Sequence, residues 1–217
     1  MKKIRQRQRT TRIFIESAVE IINNEGFDAL TVRKVADHAA YNSATIYNYF
    51  DNLEHLKSMT AMMFMKDYTD ELDACISPCK NSYEINEKVW SCFYKHTYRK
   101  PQIYQSIFGH GNNKKHTSYI NEFYTLFPDH LYVASDSIKG MLVEENLFDR
   151  TMFLLKECSK DGYFKEDDLA SIYEILFFIY KGMLNQLLNT DEIISEDDFV
   201  KKANEYNHRI FESYLLK

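Results

Sequence analysis

A chain of 217 residues, 45% of them hydrophobic, can bury a substantial core, which excludes an intrinsically disordered protein. Six Gly and three Pro are too few for a sheet-rich fold with many tight turns, and they suit helices on short connections. The net charge of −5 is unevenly laid out: residues 1–50 hold eight basic groups against five acidic ones, so a polyanion would meet a basic N-terminal end on an otherwise acidic chain.

Met1 to Arg12 carries six of those basic groups and no acid. It lacks the apolar run of a signal peptide and reads as a solvated tail or an arm that contacts phosphates or the minor groove. The first helix is expected over 10–24, with Phe14, Ala18, Ile21 and Ile22 on one face and Gly26 taking the left-handed conformation after its end. A second helix follows from Thr31, whose hydroxyl can cap it, through His38. After a brief turn at Ala39-Ala40-Tyr41, Asn42 can cap a third helix over 43–49. Two short helices with small residues at the turn between them match a helix-turn-helix.

The run Gly26-Phe27-Asp28-Ala29-Leu30-Thr31-Val32-Arg33-Lys34-Val35-Ala36-Asp37-His38 continues to Ala44-Thr45-Ile46-Tyr47-Asn48-Tyr49-Phe50, with Leu56 six residues on. Over residues 9–56 this resembles the DNA-binding domain of the TetR/AcrR family of bacterial regulators. The resemblance implies an all-α chain, with a DNA-binding domain over 1–50 and a larger effector-binding and dimerisation domain over 51–217. Two residues depart from the family pattern. Ala40 stands where Gly is usual, a cost if the turn needs positive φ. Leu53 stands where Lys usually contacts a phosphate.

In such a head the third helix enters the major groove N-terminus first. Ser43, Ala44 and Thr45 then lie nearest base edges, where hydroxyls can hydrogen-bond and methyls can touch thymine. Thr45 can contribute to both the DNA face and the packing. The resemblance makes Tyr47 the phosphate contact, with Tyr49 and Tyr41 as further candidates. Thr31 and Arg33 would fix the second helix to the backbone, Asn42 belongs to the same surface, and Ile46 and Phe50 read as core.

Asp51-Asn52-Leu53-Glu54 forms a capping box with Asp51 as the cap, opening a fourth helix that runs to about Ala74 and ends before Ser77-Pro78. Further helices are expected over 83–99, from Pro101, and over about 117–127, 135–158 and 166–189, with a final one opened by Ser195. The apolar stretch Ile175 to Tyr180 is too short to cross a bilayer, so no membrane partner and a cytoplasmic location are expected. Ile175 and Phe178, with Phe199, Tyr206 and Ile210 of the last helix, are the candidate homodimer interface. An effector cavity, implied by the resemblance within helices 4 to 8, draws Met63, Trp90, Phe93, Tyr94, Tyr104, Phe108 and Met141 as candidate walls. These would suit a small apolar or aromatic effector.

No metal-ligand, phosphate-cradling or nucleophile-elbow spacing occurs, so neither a catalytic set, a metal nor a cofactor is expected. Cys75, Cys79, Cys92 and Cys158 read as free thiols. The function expected is a ligand-responsive transcriptional regulator, in the repressing mode, on an inverted-repeat operator in double-stranded DNA. The alternatives are a helical interaction protein without specific DNA binding, and an enzyme.

Overall fold

The computed structural model describes residues 2–109, 119–131, 136–144, 146–190 and 193–216. Among them the chain is all-α: twelve α-helices and three short 3-10 turns, without a strand. The first helix, α1 (Lys2–Glu25), starts eight residues earlier than its apolar periodicity suggests. Residues 2–9 are Lys, Arg, Gln and Ile, and hold no Gly or Pro to stop the helix from propagating toward the N-terminus. The expected arm or tail is therefore a helical extension, with Lys2, Lys3, Arg5 and Arg9 exposed along it.

Gly26 takes φ +88° and turns the chain into Phe27 and Leu30, both buried. Two short helices follow, α2 (Val32–His38) and α3 (Ser43–Ile46). Thr31 caps α2, its hydroxyl accepting from the Lys34 N–H at 3.2 Å, and Asn42 Oδ1 caps α3 by accepting from the Ala44 N–H at 2.8 Å. The third helix is shorter than expected. Beyond Ile46 the Asn48 and Tyr49 N–H groups bond three residues back, to Thr45 and Ile46 carbonyls, so the last turn tightens and swings Tyr49 toward the core. Phe14, Ile15, Ala18, Val35, Ala36, Ile46 and Phe50 close a small core under these helices.

The fourth helix was expected as one rod and is two: α4 (Leu53–Met63) and α5 (Lys66–Ile76). At the break, Phe64 and Met65 donate to Ala61 and Met62 in three-residue steps at 3.0 and 3.1 Å. Its cap is Asn52 rather than Asp51; Asn52 Oδ1 accepts from the His55 N–H, and His55 Nδ1 accepts in return from the Asp51 N–H at 3.2 Å. Histidine thus takes the reciprocal role assigned to Glu54.

The body continues through α6 (Ser82–Arg99), α7 (Pro101–Phe108), α8 (Tyr119–Leu126), α9 (Asp136–Val143), α10 (Leu147–Lys160), α11 (Leu169–Asn189) and α12 (Glu196–Tyr214). The segment expected as one helix over 135–158 is α9 and α10, divided because Asn146 Oδ1 caps α10 by accepting from the Asp149 N–H at 2.9 Å. α6 is the axis of this part: α5, α10 and α12 pack around it. Its rings interlock with those of its neighbours, Phe93 lying 5.2 to 5.3 Å from Tyr104, Phe108 and Tyr180. No described helix is long and apolar enough to cross a membrane.

Candidate nucleic-acid interface and effector cleft

The helix-turn-helix stands on one ring. Phe14 is fully buried, with Tyr41, Tyr49 and Phe50 edge-on to it at 5.0, 5.5 and 6.3 Å. Tyr41 and Tyr49 thus have apolar bodies fixed by packing, while Tyr47 is turned out and 59% exposed. At the leading end of α3, Ala44 and Asn42 are exposed and Ser43 and Thr45 half-buried. Asn42 and Thr31, both expected on the DNA face, are also occupied as helix caps. Arg33 is almost fully exposed and 3.8 Å from Asp37 one turn on.

Arg7 was not singled out by its sequence position, being one of six basic residues in a row. Its Nη1 donates to the Asn48 carbonyl at 2.6 Å and its guanidinium lies 5.3 Å from the Tyr49 ring centre. It meets the exposed carbonyls at the end of α3, where the helix dipole favours a cation. The basic face of α1 is thereby tied to the trailing end of α3.

Ala40 sits in the turn at φ +58°, the single left-handed non-glycine among the described residues. A Cβ in this region costs about 1 kcal/mol or more. Ala40→Gly is expected to stabilise the protein by about 0.5–1 kcal/mol, the gain being trimmed by glycine's greater freedom when unfolded. Thermal unfolding checks this, and a lower midpoint for the glycine variant would contradict it. Leu53, the other departure, is half-buried and packs on the core.

The head meets the body through α4 and α8. The Arg12 guanidinium donates to the Leu126 carbonyl and lies 5.2 Å from the Phe127 ring centre. Buried His55 stacks on Tyr119 at 3.9 Å and sits 3.4 Å from Glu122, whose carboxyl it holds below the usual range. Further along, Gln102 Nε2 on α7 donates to Asp28 in the head at 2.8 Å.

Inside the body, Tyr68, Val89, Trp90, Phe93, Met141, Leu147, Arg150, Thr151 and Leu154 line a cleft. Its walls are closely packed and leave about 20 Å³ of open space, so an effector would have to part them to enter. Of the expected cavity residues, Trp90, Phe93 and Met141 lie in these walls. Tyr104 and Phe108 form a second layer behind Phe93. Tyr94 faces elsewhere, its hydroxyl donating to Asn207 Oδ1 on α12 at 3.2 Å, and Met63 ends α4 outside the cleft. A roomier groove between α6 and α12 is lined by Glu87, Lys201, Glu205 and His208 among others and is open to solvent, so it is a surface trough.

Arg150 is what the sequence reading missed. It is 4% exposed, donates through Nη2 to the Leu142 carbonyl at 2.8 Å and through Nε to the Glu144 carbonyl at 3.1 Å, and lies 5.3 Å from the Phe108 ring centre. A cation has been brought into an apolar wall with neutral carbonyls as its hydrogen-bond acceptors there. No sequence signal marks it, because one arginine amid Phe148, Asp149 and Thr151 looks like any helix surface.

Of the expected interface residues, Phe178 is 65% exposed, Tyr206 exposed, and Ile175 and Ile210 half-buried. Phe199 is a correction. It is fully buried, its ring 5.5 Å from Tyr98 and 6.3 Å from Tyr94, and belongs to the core of its own chain. The three- and four-residue spacing along α12 placed it on the same stripe as Tyr206, but α6 covers it.

Residues 14–56, the stretch running from Phe14 to Leu56, match the family model of the tetR family of bacterial regulatory proteins. The head matches the TetR family. Beyond it, the whole chain has the fold of TetR-family regulators. It is similar to Thermus thermophilus FadR, a TetR-family transcriptional repressor in complex with lauroyl-CoA, at TM-score 0.63 and 16% identity, covering 95% of this chain and 96% of that one. A putative TetR-family transcriptional regulator from Mesorhizobium loti gives TM-score 0.56 at 11% identity over 97% and 98% of the two chains. The fatty acid degradation regulator FadR of Bacillus halodurans gives 0.52 at 19% identity over 90% and 92%. No curated protein matches the chain.

Proposed function

We propose that this TetR-family protein is a ligand-responsive repressor that binds an inverted repeat in double-stranded DNA as a homodimer. The observation that carries the reading is exposed Ala44, between half-buried Ser43 and Thr45, beside exposed Tyr47 and the basic face of α1. Residues 1–50 act as the reading head, with bases read by Ser43, Ala44 and Thr45 and phosphates held by Tyr47, Arg33 and the basic rows of α1. The exposed parts of Ile175, Phe178, Tyr206 and Ile210 form the contact between two copies, and residues 51–217 supply both this contact and the effector cleft.

The effector is an apolar molecule with one anionic group. Trp90, Phe93 and Met141 take the apolar part, and Arg150 takes the charge. That Thermus thermophilus FadR, of the same fold, is in complex with lauroyl-CoA supports an acyl chain on an anionic carrier as one member of this class.

Selection of genomic fragments with the pure protein, followed by gel shift at several salt concentrations, tests the reading. An inverted repeat is expected, with affinity falling steeply as salt rises, and Ser43→Ala should alter base preference while leaving the salt slope intact. Equal binding to scrambled DNA would replace the regulator with a helical interaction protein. Phe178→Glu should shift sedimentation toward the monomer and weaken operator binding together; an unchanged dimer would reject the proposed contact.

A further inference from the structure

The helices α5 and α6 bring together four side chains that sequence spacing keeps apart. Glu71 and Cys75 stand one turn apart on α5, and Cys92 and His96 one turn apart on α6, so each pair shares a helix face. Ligand-type atoms of Glu71, Cys92 and His96 all lie within 4.8 Å of one another. His96 Nε2 is 2.8 Å from Glu71 Oε2, and the Cys75 side chain neighbours that of Cys92. Cys92 and His96 are buried and Glu71 and Cys75 half-buried, which leaves one route in from solvent.

From this juxtaposition we propose that Glu71, Cys75, Cys92 and His96 form a four-ligand site for a zinc-class divalent cation that pins α5 to α6. Two thiolates, an imidazole and a carboxylate suit a borderline-soft ion without geometric preference of its own. The fit needs small movements. Bonds of about 2 Å in a tetrahedron put neighbouring N and O ligands about 3.3 Å apart, so Glu71 and His96 need to open from their present hydrogen bond by only a fraction of an ångström, while Cys75, outside the set of three, turns its side chain inward to complete the tetrahedron.

The surrounding charges agree with an ion bound as a thiolate complex. Lys95 contacts Glu71 Oε1, and Arg99 lies 3.8 Å from Oε2 while also pairing with Glu196 at 2.8 Å. One dication on two thiolates and one carboxylate leaves a net single negative charge. Lys95 and Arg99 are placed to balance that charge. Binding releases the two thiol protons to solvent, which makes it stronger as pH rises. Cys79, one turn beyond Cys75 and half-buried, belongs to neither of the two facing pairs and serves as the control.

The test is cobalt(II) titration of the full-length, untagged protein, kept reduced with a phosphine, followed by zinc(II) displacement. One cobalt per chain is expected, with a thiolate-to-cobalt charge-transfer band in the near ultraviolet and the visible bands of a tetrahedral ion, both erased by zinc. Cys92→Ser should weaken binding by roughly tenfold or more, and Cys75→Ser should remove about half of the charge-transfer intensity. His96→Gln should shift the visible bands, and Cys79→Ser should change nothing. Helical circular dichroism screens each variant for folding; if Cys92→Ser fails it, Cys75→Ser and His96→Gln carry the test. Absence of the charge-transfer band in the wild type, or a band that survives Cys75→Ser undiminished, would overturn the site. So would a band that disappears with Cys79→Ser.

Discussion

Replacing Phe14 with Ala is expected to unfold the reading head while the body stays folded. Phe14 has no exposed surface, and three rings rest edge-on against it. Truncating a fully buried phenylalanine costs about 3–5 kcal/mol once the cavity is counted. A unit of about fifty residues has only about 3–7 kcal/mol of stability to lose. The loss falls on the contacts that hold Tyr41 and Tyr49, hence on both ends of α3. Hydrogen exchange should show the amides of α2 and α3 losing protection, with those of α11 unchanged, and operator binding should vanish. If α2 and α3 keep their protection, the ring cluster is not what supports the third helix.

The second large effect is expected at Arg150. Removing its side chain leaves the Leu142 and Glu144 carbonyls without their charged donor and takes a cation off the Phe108 ring. Hydrogen bonds from a charged group are worth about 1.5–3 kcal/mol each, and part of that is returned by not burying the charge. Arg150→Ala should therefore destabilise the protein by about 2–4 kcal/mol, which for a chain of this size lowers the melting midpoint by roughly 5–15 °C. Arg150→Met keeps much of the stem and separates stability from recognition. It should bind a fatty acid, compared with the matching alcohol, with roughly 10–100-fold less preference than the wild type. Equal preference in the two proteins would remove Arg150 from effector binding while leaving its structural role in place.

The head was legible because its rules are local. Gly26, the caps at Thr31 and Asn42, and the apolar spacing of Phe14, Ala18, Ile21 and Ile22 each follow from a few neighbours. Ala40 was legible as a departure, and the turn does take positive φ. What failed was longer in range. The break at Phe64 and Met65 has no Gly or Pro to announce it and comes from packing around α6. Phe199 and Tyr206 look alike on a helical wheel; only the neighbouring helix decides that one is core and the other surface. Arg150 and the set of Glu71, Cys75, Cys92 and His96 depend wholly on tertiary contact, and a search for ligand spacing along the chain passes over i,i+4 pairs on two different helices.

One consequence remains in the shape of α7. Its eight residues make a rod of about 12 Å. Phe108 at one end lies against Arg150 in the effector cleft, and Gln102 at the other holds Asp28 in the head. A stiff strut of this length converts a tilt at the Arg150 end into a sideways step at Asp28, and it works equally in the opposite sense. Under the proposed function, whatever factor the bound effector takes from operator affinity, bound operator must take from effector affinity.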